Sequence, residues 1–285
     1  MRRPFFERLL RPIVQVRENE VLTAILLFSY SFLAMTAYNI VKPISRSKFI
    51  TDLGADNMPY VPLAAGVLIG FVMAGYSWLI ARLPRRWSLQ IAQVVLASLL
   101  VGLWVLFQRP SPWVSWVFYF YSLILAVLLI SQFWTLANVV YEPRQAKRLF
   151  GFIGGGSALG GFTGSLVTMS ATKFGTVNLL LLSAGLLLVC AAVVTIVTFR
   201  ERLEGPTTVE EEHEIGLRRP LQLLARSRPL QLVALVISFG AIGAFTIEQQ
   251  LNMATEAFKG RHATDAMTVF LSQVQANPSG PRTMS

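Results

Sequence analysis

Cysteine and histidine are almost missing from this 285-residue chain, and charge of either sign is scarce. A lone cysteine, Cys190, excludes an intrachain disulfide framework and a thiolate metal cluster; two distant histidines, His213 and His262, make a zinc site a poor expectation. No metal and no other cofactor is expected. Span ends also lack the clustered His, Asp or Cys that an integral-membrane enzyme needs, so catalysis is not expected either. Charged residues make up 14% of the chain, against about 25% in soluble domains. What fills the sequence instead is apolar, 54% of it, gathered in runs with no Asp, Glu, Lys or Arg. Seven such runs cover 22–41, 60–81, 88–107, 113–141, 152–172, 177–199 and 229–247. Since about 20 apolar residues cross a bilayer, the expected fold is an all-α polytopic membrane protein.

The net charge of +10 invites a nucleic-acid reading, but its distribution rejects that partner. Seventeen Lys and Arg fall in the amino-terminal segment and the second, fourth and sixth connections, among them Arg2, Arg85, Arg148 and Arg219. The intervening connections hold five: Lys42, Arg46, Lys48, Arg109 and Lys173. This alternation follows the positive-inside bias, so the amino terminus is expected in the cytoplasm and the chain in the cell's inner (plasma) membrane, with lipid as its surroundings. The first run follows some 20 mixed residues and has no small-x-small cleavage site after it, so it reads as a retained span rather than a signal peptide.

The expected organisation is a cytoplasmic segment at 1–21, a six-span half at 22–199, a cytoplasmic linker at 200–228, a seventh span at 229–258 and an incomplete eighth helix with an irregular tail at 259–285. The linker carries the acid block Glu210, Glu211, Glu212 and Glu214, read as solvated; the Leu217–Leu224 stretch after it suits the inner membrane surface. Six spans, a long connection and a seventh span are how a two-halved 6 + 6 transporter begins. The apolar stretch from Ala266 ends at Asn277-Pro278, too soon to cross, and the chain reads as a fragment whose partner is a second half or a second copy.

Polar residues inside spans are the informative ones, because lipid gives nothing back for them. Ser31, Tyr38 and Lys42 share a face of the first span, and Arg46 extends it if the helix continues through Pro43. With Lys48, these cations are the dense basic cluster of the outward side; they either receive an anionic solute or snorkel to headgroups. In the fourth run Ser131, Thr135, Asn138 and Glu142 share a face, which lines a water-filled path or bonds across a helix interface. Glu248, Asn252 and Glu256 share a face late in the seventh, as a solvated cap or a substrate contact. The glycine-rich string 154–164 lacks the Gly-Lys-Ser/Thr ending of a phosphate loop. Its Gly156, Gly160 and Gly164 stand four apart, the spacing of a close helix–helix approach.

Three stretches together, Tyr38-Asn39-Ile40-Val41-Lys42-Pro43-Ile44-Ser45-Arg46-Ser47-Lys48-Phe49, Phe133-Trp134-Thr135-Leu136-Ala137-Asn138 and Gln145-Ala146-Lys147-Arg148-Leu149-Phe150-Gly151, with Gly54-Ala55 before Pro59-Tyr60, resemble the non-mitochondrial ATP/ADP translocases. These are nucleotide transporters related to the major facilitator superfamily, and the resemblance runs from about residue 20 to 275. The second loop, Ala81–Trp87, is similar to a basic loop of that superfamily without its Asp and Gly. The resemblance implies a six-helix amino-terminal half of a major-facilitator-like transporter plus a seventh span, and nucleotide exchange by alternating access. Lys42 then matches a basic position ending the first span and Glu248 an acidic one in the seventh; Tyr38, Arg46 and Asn138 complete the expected substrate contacts. Ser122 stands where family members carry an acid, which keeps another anionic solute open as the substrate. A non-transporting membrane module is the remaining alternative.

Overall fold

The computed structural model describes residues 21–53, 61–83, 85–109, 111–141, 143–171, 175–200 and 227–257, with 268–269, 271–273 and 275 beyond them. The amino-terminal segment, most of the linker and its acid block, Glu142 and the end of the tail lie outside the described residues. Within them the chain is an all-α membrane protein of seven long helices, with no strand among the described residues. They are α1 (Val21–Leu53), α2 (Val61–Arg82), α3 (Arg85–Leu106), α4 (Pro112–Val140), α5 (Pro143–Met169), α6 (Leu179–Arg200) and α7 (Arg228–Ala257). Among the described residues, α1, α3, α4, α6 and α7 are long and apolar enough to cross a membrane. The α2 residues before Arg82 lie in the charge-free run 60–81, and in α5 glycine and hydroxyl residues dilute the hydrophobicity.

Helix ends follow local chemistry. Pro112 and Pro143 open α4 and α5 at positions where a missing N–H is no loss. α1 runs through Pro43 for 33 residues, so Lys42, Arg46 and Lys48 are helical rather than in a loop. A proline there leaves the carbonyl four residues back without its usual donor. That carbonyl, on Asn39, accepts a long 3.4 Å hydrogen bond from Thr168 of α5, whose hydroxyl also donates to Gly164 O at 2.8 Å. Other hydroxyls inside the spans fold back in the same way on the preceding turn, as Ser98 on Val94 O and Thr195 on Ala191 O do.

α1 is the central element. Its buried Tyr30, Ala34, Ala37, Ile40, Val41 and Ile44 form one core with Leu100 of α3, Phe118 and Leu125 of α4, and Leu187 and Val194 of α6. Large apolar side chains such as Phe71, Val101 and Ile196 face outward, the arrangement that suits hydrocarbon surroundings.

The α1–α5 contact depends on glycine. A Cβ on Gly156 would stand 2.6 Å from Phe28 O, on Gly160 2.3 Å from Phe32 O and on Gly164 2.7 Å from Thr36 O. The common four-residue step fixes the two helices as parallel, and the expected close-approach face is the one the fold uses. Around it Thr36 Oγ1 lies 3.2 Å from Gly160 O and 3.1 Å from Thr163 Oγ1, Ser31 bonds Ser157, and Phe28 stacks on Phe152 at 4.8 Å.

α7 stands apart. None of its apolar window is buried, and Leu232, Val236, Phe239 and Ile247 are exposed along it. It approaches α1 near Glu248, while Leu251 packs on a small cluster of Phe49, Ile50, Val61, Tyr119 and Leu271. Leu271 belongs to the short stretch expected as an incomplete eighth helix, whose described residues are helical.

Candidate functional site

The charges sit where three helices meet at the carboxy-terminal end of α1. Lys42 and Arg46 are one turn apart on α1 and both face Glu248 of α7: Lys42 Nζ lies 3.6 Å from Glu248 Oε1, and Arg46 makes a direct ion pair with the same oxygen. From α4, Tyr119 hydrogen-bonds Arg46. Tyr38, one turn before Lys42, completes the α1 stripe and lies within electrostatic reach of Arg46. Burial is graded. The Arg46 side chain is 10% exposed, Lys42 28% and Glu248 35%, so the guanidinium is the enclosed cation and the carboxylate has the most access. One carboxylate shared between two cations leaves a net positive site.

A turn away, Lys48 lies over the Phe107 ring at 5.6 Å, and Asp52 accepts a hydrogen bond from buried Ser115 of α4. Phe49 packs edge-on against Trp116 at 4.9 Å and beside Tyr119 at 4.9 Å. Beside the basic pair, Phe49 of α1 thus packs on an aromatic patch of α4.

Four of the five expected contact residues, Tyr38, Lys42, Arg46 and Glu248, come together. Asn138 does not. It is exposed near the far end of α4, 19 residues beyond Tyr119, hence about 28 Å along the helix axis. Thr135, on the same face, turns its hydroxyl to Ser131 O at 2.8 Å. Of the late α7 stripe, Glu248 faces the basic pair, and the side chains of Asn252 and Glu256 lie outside those described. Ser122 is buried on α4, one turn past Tyr119.

Sequence reasoning missed two features. Tyr119 sits in an unbroken aromatic stretch, where nothing in the spacing marks one ring as polar. The second is a buried amide–phenol network: Gln93 Nε2 on α3 donates to Tyr30 Oη of α1 at 3.0 Å and to Gln132 Oε1 of α4 at 2.6 Å. Glutamines in otherwise apolar runs were the available signal. By joining three helices, the network costs less than the same amides would alone in hydrocarbon.

Along α1 from the basic pair, a cavity of about 360 Å³ opens between α1, α4 and α5, with Tyr38 at its edge and Phe133, Trp134 and Ser157 in its wall. Among the described residues no group of three His, Cys, Asp or Glu could hold a metal ion. Comparison with protein-family models, with curated proteins and with solved structures finds no match.

Proposed function

We propose that this protein binds a phosphate-bearing anion, of the nucleotide class, at Lys42 and Arg46, and serves in its transport across the membrane. The observation that carries the reading is the pair of cations on the central helix, one of them enclosed, sharing a single carboxylate from another helix. Snorkelling to headgroups is a property of free side-chain ends; Arg46 is turned inward onto Tyr119 and Glu248. A neutral solute has no use for two cations, and a cationic one is repelled. Anionic phosphate oxygens compete with Glu248 for the same donors, so arrival of the solute loosens the tie between α1 and α7. Such a charge exchange between helices is what an alternating-access cycle needs. Exchange against a second nucleotide, as the sequence resemblance implies, belongs to the same reading. A non-transporting membrane module is the rival.

The test is titration calorimetry on the protein in nanodiscs of neutral lipid. Tripolyphosphate should bind saturably, with affinity falling as salt rises, whereas a neutral sugar should give no heat. Equal signals from both, or none from either, would remove the anion site.

The reading includes an orientation, with the amino terminus in the cytoplasm and the basic pair toward the outer face. Single cysteines on a Cys190→Ala background check it; Cys190 is the one cysteine of the sequence, so its removal clears the background. An impermeant thiol reagent added to intact cells should label Arg109→Cys and spare Leu83→Cys. The opposite pattern would invert the orientation.

A further inference from the structure

We propose that the cavity between α1, α4 and α5 receives the planar ring system of the anion whose charged group lies on Lys42 and Arg46, making this a two-part site for an aromatic anion such as a nucleotide. This rests on the anion-binding reading above and adds the chemistry of the other end of the ligand.

The cavity measures about 360 Å³, within the roughly 300–1,000 Å³ usual for small-molecule sites. One wall is a continuous run of rings. Tyr30 stacks with Phe133 at 6.5 Å, Phe133 meets Trp134 edge-on at 5.4 Å, and Trp134 meets Phe150 edge-on at 5.3 Å. Aromatic faces of this kind take up flat heteroaromatic rings by stacking. The rest of the lining is almost wholly apolar, its polar residues being Ser31 and Ser157, hydrogen-bonded to each other, and Tyr38.

Position ties the cavity to the charges. Tyr38 lines it and stands one turn, about 6 Å along the axis, before Lys42 on the same face of α1. A ligand holding its anionic group at Lys42 and Arg46 and extending along α1 therefore meets this cavity first. Gly154 lines the cavity. A Cβ added there meets nothing within 4 Å, and Gly154 lies off the Gly156, Gly160, Gly164 stripe that packs on α1. A larger residue at 154 thus fills the cavity without parting the helices.

Three probes titrated against the whole chain in nanodiscs separate the parts: tripolyphosphate has charge without a ring, adenosine a ring without charge, and ATP both. ATP should bind more tightly than tripolyphosphate, with adenosine weakest. Trp134→Ala, which removes a stacking face, and Gly154→Leu, which fills the space, should each weaken ATP by about tenfold and leave tripolyphosphate unchanged. Quenching of Trp134 fluorescence by ATP but not by tripolyphosphate, judged against the Trp134→Phe variant, should accompany it. If ATP and tripolyphosphate bind the unmodified protein equally, or if Gly154→Leu lowers both alike, the ring site is wrong and the anion site stands. If neither phosphate probe binds the unmodified protein, both readings fall together. Should Trp134→Ala misfold, Gly154→Leu decides alone.

Discussion

Gly160→Leu should leave no stable α1–α5 pair, and Gly160→Ala should already melt several degrees below the unmodified protein. The reason is the identity of the atom in the way. An alanine Cβ at 160 would lie 2.3 Å from Phe32 O and 3.0 Å from Phe32 C, which are backbone atoms of the central helix. A flexible side chain could swing aside; a helix backbone moves only as a whole, and moving it also strains the contacts at Gly156 and Gly164. Overpacking of this kind costs about 1–3 kcal/mol for small insertions, and parting the helices also loosens the contacts that Thr36 makes with Gly160 O and Thr163. Gly151→Ala and Gly154→Ala make the comparison, since a Cβ at either meets nothing within 4 Å. There the change should be neutral or slightly stabilising, because alanine is the better helix former by about 1 kcal/mol. Thermal unfolding in detergent, followed by circular dichroism, ranks the variants. A Gly160→Ala protein as stable as Gly154→Ala would show that the helices can separate freely and that the close approach is not what holds them.

The glycine face was legible in the sequence because close helix approach needs small residues at a fixed four-residue step, and few other uses of glycine repeat in that way. The helical class was legible for a similar reason: an apolar run of span length has few other structures open to it. Helix ends were less so. Apolar-run counting places the end of the first span at 41, before the basic residues, yet α1 continues to Leu53. What carries it on is tertiary, since Thr168 reaches the carbonyl that Pro43 leaves over and Phe49 and Ile50 bury against α4 and its neighbours. α5 likewise starts nine residues before its apolar run, at Pro143.

Within the site, spacing on one helix could align Tyr38, Lys42 and Arg46, and this alignment is the part that sequence carries. It could not say that Glu248, some two hundred residues later, would be the counter-charge, because the distance between helices has no period. Asn138 shows the converse failure. A polar stripe near a helix end is compatible with a binding face, but α4 runs in the direction that takes this end away from Lys42. The glutamine network was invisible as a network because Gln93 and Gln132 are each unremarkable until their helices are brought together.

The charge cluster makes a prediction with two signs. Lys42→Gln should weaken tripolyphosphate binding about tenfold to a hundredfold, since charge-assisted contacts contribute roughly 1.5–3 kcal/mol each. Lys42→Gln with Arg46→Gln should take it beyond detection. Glu248→Gln should act the other way and tighten binding, because the neutral amide still fills the space but no longer competes with phosphate for Lys42 and Arg46. The same substitution should lower thermal stability. Arg46 is nearly enclosed, and taking away the carboxylate leaves a buried cation unpaired, which is among the costlier single changes a folded protein can suffer. Affinity and stability thus move in opposite directions at Glu248 and, for Lys42→Gln, affinity falls while the Arg46–Glu248 pair survives. Arg109→Gln, an exposed cation in the α3–α4 connection, should change neither. Ionic strength sharpens the test, because a bound phosphate chain feels two cations in the unmodified protein and one in Lys42→Gln, so the salt dependence of binding should flatten in the variant. If Glu248→Gln weakened binding as Lys42→Gln does, the carboxylate would be holding the cations in place for the solute rather than competing with it. A loss of the same size in Arg109→Gln would mean that the surface charge as a whole, and not the pair on α1, attracts the anion.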